Sequence, residues 1–191
     1  MKSIVMGSLR LGLVLMALCG VLYNAAVTGI AGAILPKQAE GSLIYDTKGR
    51  IVGSELIGQN FTDPQWFHGR ISSIEYNGAG SGTPNYSPSN PDLLARVQQS
   101  IQDWRTNNPE VPVDRLPLDL ITNSGSGLDP QISPAGAKAQ IPRIRSLTGI
   151  PAEQLEKLVE EFTLPRQLGI FGEPGVHVLK LNLALQKLVQ Q

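Results

Sequence analysis

The chain has 191 residues, with 16 basic and 16 acidic side chains and no formal net charge. That length suffices for one domain with a real core, and the charge balance excludes a protein that works by neutralising a nucleic-acid backbone. A single cysteine, Cys19, excludes an internal disulfide framework.

No charge occurs between Arg10 and Lys37. The apolar run at residues 11–35, "LGLVLMALCGVLYNAAVTGIAGAIL", would measure roughly 37 Å as a helix, against about 30 Å for a bilayer's hydrocarbon core. A buried soluble helix rarely runs so far without charge. A cleaved signal peptide has support in Lys2, Arg10 and the Ala31-Gly32-Ala33 triplet, but secretory apolar segments run to about 7–15 residues. The length favours a retained transmembrane helix at 11–35, after a short cytoplasmic N-terminus at 1–10 and before one domain at 36–191. Cys19 is apolar filling, since Leu18 stands where an acylated cysteine is preceded by a small residue.

Cations flank both ends, Lys2 and Arg10 against Lys37, Lys48 and Arg50, so positive-inside counting is close to a tie. The signal-like order, a short basic tail and then an apolar stretch, places the domain outside the cytoplasm. All 16 acids follow the apolar run and two of the bases precede it, leaving residues 37–191 about two charges negative. Such a domain is repelled by anionic lipid. Within the helix, small or polar residues recur every four positions: Gly20, Asn24, Thr28 and Gly32 in one row, Ala25, Gly29 and Ala33 in another. In lipid, helices associate through such close-packing rows, and Asn24 at mid-membrane is expected to face protein or a polar cavity.

Residues 41–58 read as two strands joined by a turn at 46–49. "YDTKG" superficially resembles the D-K-T-G of phosphorylated aspartates, but the order differs and the last Thr is missing; it is a hairpin turn. An aromatic cluster follows at Phe61, Trp66 and Phe67. The stretch "YNGAGSGTPNYSPSNP", 76–91, is loop by composition; a loop of that length is functional or disordered, and Tyr76 and Tyr86 point to an ordered contact surface. Asn90-Pro91 opens a helix whose apolar stripe is Leu93, Leu94, Val97, Ile101 and Trp104. A strand is expected at 116–122. Ser133-Pro134 opens another helix toward Ser146, which Pro142 should kink or interrupt. A further helix at 152–162 carries Leu155, Leu158, Val159 and Phe162. The ending "VHVLKLNLALQKLV" reads as a short strand or capped start and then a helix. Interleaved strands and helices make this an α/β (α+β) domain.

Enzyme chemistry has little support. His68 and His177 lack carboxylate or cysteine neighbours at metal-ligand spacing. "TNSGSGLDPQISPAGA", 122–137, invites a phosphate-loop reading, yet it lacks the lysine of a Walker loop and the first glycine of a nucleophile elbow. Ser124, Gly125, Ser126, Gly127 and Asp129 read instead as a structural or docking loop. Its glycines supply positive φ, and Asp129 bonds backbone N–H groups ahead of the next helix. No catalytic, cofactor-binding or metal-binding residue is assigned.

The order of an N-terminal membrane helix, "GSLI", "VGSELIGQNF", "WFHGR", "SPSNPDLL", "LPLDLITNSGSGLDPQIS" and "FGEPGVHVLKLNLAL" resembles the C subunits of bacterial Kdp potassium-transporting ATPases, the KdpC family, over nearly the whole chain. Gln131 stands where that family commonly has His, Ile71 where it has Pro, and His177 where it has Asn. The resemblance implies a non-catalytic, single-span inner-membrane subunit with an extracytoplasmic domain. Its implied partners are the Kdp A, B and F subunits, and ATP enters only through the complex. A role in assembling and stabilising the A and B subunits is the favoured expectation, and a chaperone raising the B subunit's affinity for ATP is the alternative. Without the resemblance, an extracytoplasmic binding protein released by signal cleavage stays open.

Overall fold

The computed structural model describes residues 2–46 and 48–190. The chain divides into two compact units, Met1–Val52 and Gly53–Gln191.

The first unit is led by a continuous helix, Lys2–Ile34, long and apolar enough to cross a membrane, with no residue of its most apolar window buried. It begins nine residues earlier than the apolar run alone indicates, because nothing between Lys2 and Leu11 breaks a helix. Its middle is not α-helical: α1 (Lys2–Leu15) passes into a π-helical segment, Met16–Leu22, before α2 (Tyr23–Ile34). A short α3 (Pro36–Ala39) follows. The strands β1 (Leu43–Tyr45) and β2 (Ile51–Ser54) then form a two-stranded sheet. In the turn between them, Asp46 accepts from the N–H groups of Lys48 (2.8 Å) and Arg50 (2.9 Å) and from Arg50 Nε (2.8 Å). These bonds hold its carboxyl below the usual range, the Arg50 N–H most of all. The hairpin reading of "YDTKG" stands, with Thr47 outside the described residues.

The second unit is built around β5 (Gly175–His177), buried at all three positions. It is flanked by antiparallel β3 (Gln131–Ile132) on one side and β4 (Thr163–Leu164) on the other. Helices α5 (Pro134–Lys138), α6 (Ile141–Thr148), α7 (Ala152–Glu161) and α8 (Val178–Val189) complete the core. Leu155, Leu158 and Val159 give α7 the i, i+3, i+4 stripe of an amphipathic helix, and they meet Ile144, Val176, Leu181 and Leu185 in one cluster. The α5–α6 break follows from Pro142, which has no N–H to donate and whose ring opposes the carbonyl of residue 138. The helix stops at Lys138 and restarts at Ile141, with Pro142 in its first turn.

Further helix starts follow their caps. Asn90 accepts from the N–H groups of Asp92 and Leu93 to open α4 (Pro91–Asn107), and Ser133 accepts from Gly136 N to open α5. Of the expected α4 stripe Trp104 is buried, Leu93, Val97 and Ile101 are half-buried, and Leu94 is exposed.

The strand expected at 116–122 is absent. Leu118–Leu120 forms a 3-10 turn after Pro117, with Leu116 buried and Leu118 exposed. Pro117 cannot donate to a ladder. The turn also carries Asp119 toward Ser133, accepting from its N–H (2.7 Å) and hydroxyl (3.0 Å).

Candidate interaction sites and the family of the chain

In the first unit, the two small-residue rows lie along an exposed helix surface. Gly20, Asn24, Ala25, Thr28, Gly29, Gly32 and Ala33 are all solvent-facing. A Cβ added at Gly29 or Gly32 would meet nothing within 4 Å. Asn24 is exposed on this surface and is also bonded within its own helix. Its Nδ2 donates to Gly20 O (2.9 Å) and Cys19 O (3.2 Å), carbonyls of its own helix. The physical reason is the π segment. Where π register returns to α, a carbonyl is passed over by the N–H ladder, and a short amide side chain one turn on can cover it.

In the second unit, the 122–131 loop is a knot of side-chain-to-backbone bonds. Ser124 is buried; its hydroxyl accepts from the N–H groups of Gly127 (3.0 Å) and Asp129 (3.2 Å). Ser126 Oγ accepts from Leu128 N (3.1 Å), and Asp129 Oδ1 accepts from Gln131 N (2.9 Å). Ser124 N donates to Ile71 O (2.8 Å). Five backbone donors of the loop are therefore directed at its own protein. Gly127 has φ +75°, and a Cβ there would lie 2.6 Å from Ile74 Cγ1. Gly125 corrects the expectation of positive φ at both glycines: it is not among the positive-φ residues, and a Cβ there would meet nothing within 4 Å. This loop needs the left-handed conformation only where it reverses, at Gly127.

The knot also fastens the long 76–91 loop. Gly82 N donates to Ser126 O (2.8 Å), and Ser81 Oγ reaches the same carbonyl (3.2 Å). Asn123 Nδ2 donates to Thr83 Oγ1, while its Oδ1 accepts from Arg96 Nη2 (2.5 Å). Arg96 lies over the Tyr86 ring, 5.8 Å from the centroid. Arg70 pairs with Asp129 (3.2 Å), and the Tyr76 hydroxyl donates to Arg70 O. Burial, with the Asp129 charge, raises the Tyr76 pKa. Arg70, Tyr76, Arg96 and Asn123 were missed in the sequence because their partners lie 6 to 59 residues away.

The aromatic segment before the knot is held by two buried amides. Asn182 Oδ1 accepts from Phe67 N (2.9 Å) and its Nδ2 donates to Phe67 O (2.8 Å). Gln140 does the same for His68, at 2.8 and 3.1 Å. Arg143 donates to Trp66 O, to Gln140 Oε1 and to His68 Nδ1, and burial brings its pKa down to about 10. His68 is therefore an acceptor at Nδ1 and a donor at Nε2, toward Asp63 O (3.1 Å). His177 accepts from Lys180 N (3.4 Å) at the start of α8 and donates to Glu55 O (3.1 Å). Desolvation lowers the pKa of both rings. Among the described residues no cluster of three or more metal-ligating side chains is present.

Residues 5–187 match the family described as KdpC: K+-transporting ATPase, c chain. The chain is 55% identical over 189 residues to the potassium-transporting ATPase KdpC subunit of Bacillus cereus (strain B4264), covering 99% of this chain and 98% of that one. The proteins of the same name from Bacillus anthracis (strain CDC 684 / NRRL 3495) and Bacillus mycoides (strain KBAB4) are each 54% identical, with the same coverage. A helix able to span a membrane, a mixed α/β domain and full-length similarity to these subunits lead to one assignment: the chain belongs to the KdpC family of K+-transporting ATPase c chains.

Proposed function

We propose that the chain is a non-catalytic, single-span subunit of a bacterial potassium-transporting ATPase, which assembles and stabilises the potassium-conducting and ATP-hydrolysing chains. Its helix sits in the inner membrane at about residues 11–35, and residues 36–191 stand on the extracytoplasmic side. The observation that carries this reading is the 122–131 loop. A phosphate cradle needs backbone N–H groups pointing at a ligand, and here the donors of residues 124, 127, 128, 129 and 131 are bonded within the protein. The small-residue rows of the helix supply the complementary feature, a surface suited to close packing with other helices.

A tagged chain purified in mild detergent from membranes of potassium-starved cells should carry both partner chains in fixed proportion. Titration calorimetry of the purified full chain with Mg·ATP should give no saturable heat. Saturable micromolar binding abolished by Asp129→Ala would replace the assembly role with direct nucleotide contact.

A further inference from the structure

Between β4 and β5 the chain makes a projecting hairpin, residues 164–174, whose tip is apolar. Leu168 is 88% exposed, Ile170 72% and Phe171 62%. The tip is rigidly built. Gln167 and Phe171 exchange backbone hydrogen bonds at 2.9 Å each way, and Gly169 N and Ile170 N donate to Arg166 O and Gln167 O. Leu168 holds φ +52°, a conformation in which a branched side chain is disfavoured. A strained leucine pointing into solvent contributes nothing to this fold. Folding alone would favour glycine or asparagine there.

The charges beside the tip narrow what can cover it. Arg166 and Glu173 are the only ionisable residues of the hairpin, and they close on each other through Arg166 Nη2, at 2.8 and 2.6 Å to the two carboxylate oxygens. The tip thus presents no net charge and no free cation for lipid headgroups, while the mildly acidic domain is repelled by an anionic surface. Three side chains also fall short of the about 800 Å² per partner that a stable self-pair buries. A small convex apolar anchor suits a pre-formed cleft, adding to contacts made elsewhere by a chain already tethered alongside its partner.

We infer that Leu168, Ile170 and Phe171 form a docking anchor that inserts into an uncharged apolar cleft on another chain of the same potassium-transporting ATPase. This rests on the assembly role proposed above and names the surface that performs it.

Two measurements separate the anchor from that role. In the first, benzoylphenylalanine replaces Leu168 in the full chain, expressed with the other pump chains, and intact membranes are irradiated. The expected adduct has the summed mass of this chain and another pump chain, with none from the same probe at Glu156 on α7. An adduct with a second copy, with lipid only, or none at all overturns the inference. In the second, Leu168→Gly and the pair Ile170→Ser with Phe171→Ser are carried through mild-detergent purification of the pump. Retention should fall about tenfold, the loss of one good anchor contact. The melting temperature of the purified chain should hold, or rise for Leu168→Gly as the backbone strain is relieved. Undiminished retention of both variants overturns the anchor and leaves the assembly role standing. Failure of the unsubstituted chain to co-purify defeats the assembly role, and the adduct in membranes still decides the anchor.

Discussion

The membrane helix and the 122–131 loop were both read from small residues, and they are opposites in the structure. Around Gly29 and Gly32 of the helix nothing lies within 4 Å. In the loop, Ser124, Ser126 and Asp129 are committed to backbone groups of their own chain. Small residues serve two purposes here. In the helix they leave room for another backbone, and in the loop they let the backbone turn and be bonded by its own side chains. On the proposed role the first kind of site is completed by other chains, the second by folding, so substitutions should divide between loss of assembly and loss of stability.

The largest effect is expected in the self-contained part of the molecule. Asn182→Leu removes both bonds to the Phe67 backbone and leaves two buried polar groups unpaired, each costing about 1–3 kcal/mol. The domain should melt at a much lower temperature by circular dichroism, and an unchanged melting curve would show that water replaces the amide. Next comes a pair inside the loop. Gly127→Val forces a branched residue to φ +75° against Ile74 and should cost about 2–4 kcal/mol. Gly125→Val, in open space, should shift denaturant midpoints by less than about 0.5 kcal/mol. Equal losses at both positions would erase the distinction drawn between the two glycines.

Acid should act more gently and through two rings. His68 and His177 have folded pKa values below the ordinary 6.5, so below that pH the unfolded chain binds protons that the folded chain refuses. Stability should therefore decline as pH drops through about 6.5 and continue to do so until the lowered folded values are passed. His68→Gln with His177→Asn should flatten the melting profile between pH 7.5 and 5.5, and an unaltered slope would assign the acid response to other groups. The smallest effect on stability belongs to the helix. Gly29→Leu with Ala33→Leu should leave the domain's unfolding untouched while lowering the yield of assembled pump in mild detergent. Equal yield would mean that the rows are not a packing face.

The elements that could be read in advance are those whose cause is local. Asn90-Pro91 and Ser133-Pro134 announced α4 and α5, Pro142 announced the interruption before α6, and the spacing of Leu155, Leu158 and Val159 announced α7. The run "LPLDLI" misled because its alternating leucines imitate a strand, whereas Pro117 and the reach of Asp119 to Ser133 require a turn. The bonds of Asn24 to its own helix were silent for a related reason: the π register before it leaves no mark in residue type. Gln140 and Asn182 were silent in the sequence because each serves a segment far away, 72 and 115 residues off. His177 caps α8 through Nδ1 and reaches Glu55 O through Nε2, a contact 122 residues away that the sequence could not show.

The hairpin of residues 164–174 is joined to the core without a joint. Its second arm leads directly into β5, the central strand of the three, and β5 passes into α8 with no intervening residue. Tension applied at Leu168 along the strands would draw β4 and β5 together and load the β3–β5 hydrogen bonds in shear, and would not unzip an edge one bond at a time. The tip is a handle fixed to the middle of the domain, able to carry mechanical load into its best-packed layer.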